Sequence, residues 1–166
     1  MFGWPQWIAL AISLFRIIEL VYSNQNCKRL IARGGKEYGR SHYYLFFLIH
    51  TAWIGSIFFF VSGEIQPNLP LLFLFVILQI LRVWVILTLG PYWSTRVISH
   101  EKFPVVTNGP YRWMKHPNYA IVACEIFVIP LIFGSWAIAI IFSILNAILL
   151  YYRINVETRA LAIRSN

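Results

Sequence analysis

The chain of 166 residues contains no aspartate, and its acidic side chains are six glutamates against fourteen lysines and arginines. Charged residues of either sign make up 12% of it, where a soluble domain carries about a quarter. So little charge cannot cover a water-facing surface, and a soluble globular domain is excluded. With two cysteines, one (Cys27) in a basic stretch and one (Cys124) in an apolar stretch, no disulfide framework is expected. The chain also lacks a glycine-rich phosphate loop, a Gly-x-Ser-x-Gly elbow, and any His/Cys spacing that would hold a metal. Internal repeats, low-complexity tracts and a composition break are missing too, so residues 1–166 read as one domain.

What remains is apolar: 59% of the residues are hydrophobic. Five segments are apolar enough to cross a bilayer, at residues 4–22, 44–61, 71–89, 120–133 and 136–152. The first lacks a basic leader and a small-residue cleavage site, so it reads as a retained span. Arg16 and Glu19 interrupt it at i, i+3, on one helical face, where they can pair. His50 in the second span reads as a packing residue. Gln79 and Arg82 in the third should face a protein interior. The run from residue 119 to 152 would be about 50 Å long as one helix, well beyond a hydrocarbon core of about 30 Å. Pro130 and Gly134-Ser135 are expected to fold it into a hairpin. The fold class is therefore all-α, a polytopic membrane protein of about five helices with a C-terminal helical hairpin.

Residues 23–42, read as a loop or broken interfacial helix, hold five lysines and arginines, residues 90–115 hold four, and the tail from Arg153 holds three. The intervening segment 62–70 and the hairpin tip hold none. By the positive-inside rule both basic loops and the C-terminus are cytoplasmic and the N-terminus is outside. The same placement explains the net charge of +8 without nucleic acid as a partner.

One polar, turn-rich stretch stands out, Val106-Thr-Asn-Gly-Pro-Tyr-Arg-Trp-Met-Lys-His-Pro-Asn-Tyr119. Asn108-Gly109-Pro110 signals one turn, and Pro117 disfavours helical geometry at His116. Tyr111, Arg112, Trp113 and Lys115 between the breaks suit a charged or aromatic ligand, or an interfacial belt. Beyond the hairpin, Arg153 and Glu157 are four apart and share a helical face on the same side of the membrane. The two segments can form one pocket, with a cytoplasmic loop as one of its walls.

This combination resembles the isoprenylcysteine carboxyl methyltransferase family. The family pattern is a Gly-x-Tyr, an Arg-His-Pro-x-Tyr, a helical hairpin, and an arginine ahead of a Glu-Glu pair. Residues 90–161 carry the likeness, and Trp93-Ser94-Thr95-Arg96 looks like the bacterial branch. The resemblance implies methyl transfer from S-adenosyl-L-methionine to a lipophilic acceptor at the cytoplasmic membrane face, with the compact chain suiting a bacterial inner membrane. It further implies cofactor contacts at Arg96, Val105, Val106, Tyr111, His116, Pro117, Asn118, Tyr119 and Glu157, and an acceptor-facing arginine at Arg153. No metal is implied. The chain departs from the pattern at Lys115, which stands for the usual arginine, at Thr158, which replaces the second glutamate, and at Phe103, where eukaryotic members commonly have histidine. The Gly-Pro-Tyr to His-Pro-Asn-Tyr segment also resembles the C-terminal part of NADPH-dependent membrane sterol reductases. A non-enzymatic membrane subunit is the remaining reading.

Overall fold

The computed structural model describes residues 2–40 and 43–162. Five helices account for most of them: α1 Trp4–Ala32, α2 Tyr43–Phe60, α3 Leu69–Leu89, α4 Pro117–Ile132 and α5 Trp136–Ala162. The chain is an all-α polytopic membrane protein. α1, α2, α3 and α5 are each long and apolar enough to cross a membrane. α4, with 16 residues, is about 24 Å long, short of the hydrocarbon thickness. The expected five apolar segments are thus four long helices and one short one.

Large side chains on the outer faces point away from the bundle. Phe60 is 82% exposed, Phe59 77% and Leu87 72%, an arrangement that suits lipid and would be costly in water. The buried core is narrow. Ala9 and Ile12 of α1 meet Trp53 and Ile57 of α2 and Val122, Ile126 and Ile129 of α4. A second cluster joins Leu78 and Val85 of α3 to Ile121 and Val128 of α4, with Tyr111 against it. The short helix α4 is therefore the central element, enclosed by the long ones.

Residues 23–32, expected as a loop or a broken interfacial helix, instead continue α1. Nothing breaks the helix before Gly34, whose φ of 89° is open to glycine at little cost. The polar side chains of this extension find partners in the segment after α3. Asn26 Nδ2 donates to the carbonyls of Gly90 (3.1 Å) and Trp93 (2.9 Å), and Ser23 Oγ lies 2.8 Å from Thr95 Oγ1. Cys27 is consequently buried on the helix, not exposed in a loop. Two short strands follow the same logic. β1 (Lys36–Tyr38) and β2 (Val97–Ser99) pair antiparallel, with Glu37 opposite Ile98. This ribbon holds the two basic loops at one end of the bundle.

The hairpin forms as expected, but its break is narrower. Pro130 lies inside the last turn of α4, and the chain reverses at residues 133–135, where Gly134 has φ 69°. α5 then runs without interruption through Arg153 and Glu157, so the tail expected beyond residue 152 is helix as far as Ala162.

Mid-bundle, four charged side chains neutralise one another. Arg16 Nη1 donates to Glu19 at 2.8 Å and Arg16 Nη2 to Glu125 at 2.5 Å. Arg82 holds Glu19 through Nη2 (2.7 Å) and its Nε, and lies 3.3 Å from Glu125. Gln79 Nε2 caps the other Glu125 oxygen at 2.6 Å. The expected Arg16–Glu19 pair is thus half of a network linking α1, α3 and α4. Arg82 and Gln79 face inward, as their cost in lipid requires. His50 Nδ1 donates to the Phe46 carbonyl at 2.8 Å.

Candidate functional site

The turn chemistry around residue 109 positions the first half of the site. Gly109 has φ 55°, and a Cβ there would sit 2.8 Å from Thr88 Oγ1, so the loop can press against the end of α3 only with glycine. A 3-10 turn over Gly109–Arg112 then sets Tyr111 against α3 and α4. Burial, followed by the nearby Glu157 carboxylate, pushes the Tyr111 phenol above its ordinary pKa, so it stays protonated and able to donate. His116 caps α4 and Pro117 occupies its first turn, where a missing N–H costs nothing. Tyr119 follows inside the first turn, its ring stacked on His116 at 5.3 Å between centroids.

The second half comes from α5. Arg153 and Glu157, one turn apart, both reach Tyr119. Arg153 Nε donates to the Tyr119 hydroxyl at 2.7 Å, and that hydroxyl donates to Glu157 Oε2. His116 Nδ1 lies 3.6 Å from the same oxygen. Arg153 Nη2 donates to the Thr95 carbonyl at 2.5 Å, and the guanidinium lies 5.2 Å from the Phe46 ring centroid. Among the described residues, Nη1 is the guanidinium nitrogen left without a hydrogen bond. Arg153 is thereby oriented by three elements and keeps one donor in reserve.

These groups form one end of a cavity of about 570 Å³, within the usual range of small-molecule sites. Tyr111, Lys115, His116, Asn118, Tyr119, Arg153 and Glu157 all line it, with Trp93, Ser94 and Thr95. From there it continues between α1 and α2 as far as Phe58 and Phe59. Not every expected residue reaches the cavity wall. Arg96 stands beside it, 3.5 Å from Glu37 and 5.2 Å from the Tyr43 ring centroid. It shares a small recess with Arg153. Val105 is exposed, Val106 half-buried, and Pro117 buried inside α4.

Against this geometry the comparisons are informative. The family model described as the isoprenylcysteine carboxyl methyltransferase (ICMT) family matches residues 71–163. The chain belongs to the isoprenylcysteine carboxyl methyltransferase family. It is accordingly a membrane methyltransferase. The matched span takes in nearly all of α3, the 3-10 turn, α4 and all of α5, and so every residue of the Arg153–Tyr119–Glu157–His116 cluster. The methyltransferase is also similar to the uncharacterized protein YpbQ of Bacillus subtilis (strain 168), 37% identical over an alignment that covers 93% of this chain and 95% of the relative. No solved structure matches it.

Sequence reasoning missed the walls contributed by α1 and α2. Phe46, which faces Arg153, and Tyr43, whose hydroxyl is 3.1 Å from Thr95 Oγ1, carry no motif. Their one signal is spacing: Phe46, His50 and the residues a turn further on lie on one stripe of α2. Thr95 sits in a recognised tetrapeptide, but its contribution to Arg153 is a carbonyl, which any residue type would supply.

Proposed function

We infer that the protein transfers a methyl group from S-adenosyl-L-methionine to a carboxylate or to an enol or phenol hydroxyl of a lipophilic acceptor. The observation that carries this reading is the character of the cavity. One end holds a guanidinium with a spare donor beside a carboxylate, and the rest is a mainly apolar groove between two lipid-facing helices, its polar side chains being His50 and the paired Arg16, Glu19 and Arg82. An amphiphile with an acidic head suits that arrangement.

The charged end also suits the methyl donor. Asn118 Oδ1 is buried without a hydrogen-bond partner, a cost that a bound amino or hydroxyl group would remove. Glu157 and His116 offer an anion and an imidazole, and the stacked faces of Tyr119 and His116 favour a cation. Tyr111, His116, Asn118, Tyr119 and Glu157 are the residues assigned to the cofactor, with Lys115 near its entrance and Arg96, Val105, Val106 and Pro117 supporting the loop around it. When bound, the cofactor supplies an electrophilic methyl group on a sulfonium.

The chain's own part is orientation. Arg153 Nη1 holds the acceptor anion, while Tyr119 and the Thr95 carbonyl keep the guanidinium from turning away. A carboxylate or acidic enol is already anionic near neutral pH, so for these acceptors no strong base is needed and alignment of the two reactants carries most of the acceleration, whereas a phenol must first give its proton to a base, for which Glu157 and His116 are the candidates. The charge pattern of the loops supports a cytoplasmic placement of this end, with a soluble cofactor entering from water and the acceptor from lipid.

The test is cofactor binding to purified protein, read as a melting shift with S-adenosylhomocysteine. A shift in the wild type that Glu157→Ala loses is expected. No shift in a folded sample, or a shift with NADP instead, would overturn the reading.

A further inference from the structure

The groove between α1 and α2 has a feature that the chemistry at its charged end does not use. Its α2 wall is a broad helical face that begins at Phe46, facing Arg153, continues through His50, Thr51 and Ile54, and ends at Gly55, Phe58 and Phe59, with Gly55 on the edge of the face away from Phe46. The α1 wall answers it with Ile17 and Leu10. At the far end the helices are tied together. Gln6 Nε2 donates to the carbonyls of Phe58 (3.1 Å) and Val61 (2.9 Å). The groove therefore has a charged head, a body that is apolar apart from His50 and the mutually paired Arg16, Glu19 and Arg82, and a foot where the two helices are tied together.

Gly55 lies in the middle of α2, where glycine is less favourable than alanine. Nothing in the backbone calls for it, since it is not among the glycines with positive φ. Close helix packing does not call for it either, because a Cβ built there meets no atom within 4 Å. What the missing side chain provides is open width in the groove.

We propose that Gly55 is a specificity-determining residue, which keeps the lower groove open and so sets the length of unbranched apolar chain that the acceptor carries. Gly55 is nine residues beyond Phe46, about 14 Å along the helix, and Phe59 about 20 Å. An extended chain advances about 1.2 Å per bond, since three bonds span one extended residue. A chain with its acidic head at Arg153 thus reaches Gly55 after about 12 carbons and the foot after about 16. This rests on the proposed function for the position of the head group.

The probes are saturated fatty acids of ten and sixteen carbons with a diazirine at the last carbon, photolysed with the protein in lipid nanodiscs and mapped by peptide mass spectrometry. In the wild type the sixteen-carbon probe should label the stretch around Phe58, Phe59 and Leu10. The ten-carbon probe should label above Gly55. Gly55→Trp should cut capture of the longer probe at least tenfold and leave the shorter within twofold, and Gly55→Ala should change neither. Labelling sites independent of chain length, or a Gly55→Trp variant that treats both probes alike, would overturn the proposal. Gly55→Leu serves if the tryptophan variant does not fold. The S-adenosylhomocysteine shift, measured on each sample, is a separate readout. Its absence alongside length-dependent labelling would sink the methyl-transfer reading and leave the ruler standing.

Discussion

Two arginine–carboxylate clusters lie within this bundle, and they are built to opposite ends. The mid-bundle cluster closes on itself: two arginines meet two glutamates, and Gln79 takes the last carboxylate oxygen. The Glu125 side chain is 1% exposed. The end cluster stays open. Arg153 does not touch Glu157 but reaches it through the Tyr119 hydroxyl, and the Glu157 side chain remains 25% exposed. In the first, every charge is spent on another within the protein, which suits a staple joining three helices. In the second, Arg153 and Glu157 line the cavity, where the proposed function gives them a ligand to hold. Two groups of similar composition thus differ in their degree of closure.

The contrast can be broken from the closed side first. Glu125→Ala leaves Arg16 and Arg82 with Glu19 as their one shared carboxylate. Removing one partner of a buried ion pair costs about 3–5 kcal/mol, so the melting temperature in detergent should fall by more than for any other substitution considered. A change no larger than that of a surface pair would mean the network is not a staple. Next in size is Arg153→Ala. It should lower methyl transfer to any accepted lipid about 100-fold, the worth of one strong charge-assisted bond at about 3 kcal/mol, while the S-adenosylhomocysteine shift survives. Unchanged turnover would remove Arg153 from the acceptor site.

Glu157→Ala sharpens the comparison further, because the open cluster should tolerate losing its acid. The expected stability change is within about 1 kcal/mol, since the carboxylate is partly solvated, yet the cofactor-induced melting shift should vanish. A Glu157→Ala protein that melts as low as the Glu125→Ala protein would erase the distinction. The smallest effect belongs to Arg96→Ala. Its pair with Glu37 is part-exposed, so stability should change by about 0–1 kcal/mol. A lost cofactor shift in that variant, measured by the same melting assay, would bring Arg96 into the site despite its place beside the cavity.

Much of this was legible in the residues. Apolar runs of near-bilayer length located α2 and α3 to within a few residues, because lipid imposes both composition and length. Arg82 could be turned inward on cost alone, since a guanidinium facing hydrocarbon has no partner. Gly109 and His116-Pro117 placed the turns, because φ and the missing N–H are local properties. The extension of α1 to Ala32 was not legible. Ser23, Asn26 and Cys27 read as loop residues, and they are helical because the segment after α3 satisfies and covers them. Nor did Pro130 act as the breaker its type suggests. It sits in a last turn, where the chain is about to reverse at Gly134 in any case.

The sequence by itself determined that this chain lives in a membrane, where its helices run, and that its polar chemistry is concentrated between residues 106 and 119 and on α5. Those are matters of composition, period and backbone restriction, and they act over a few residues. Only the tertiary structure decided which charges are spent and which are kept. Glu125 and Glu157 are both lone acids on apolar helices. One is closed off by Arg16, Arg82 and Gln79, brought from two other helices, and the other is left facing a cavity. That difference depends on partners 38 to 109 residues away in the chain, and no local pattern carries information over such a distance.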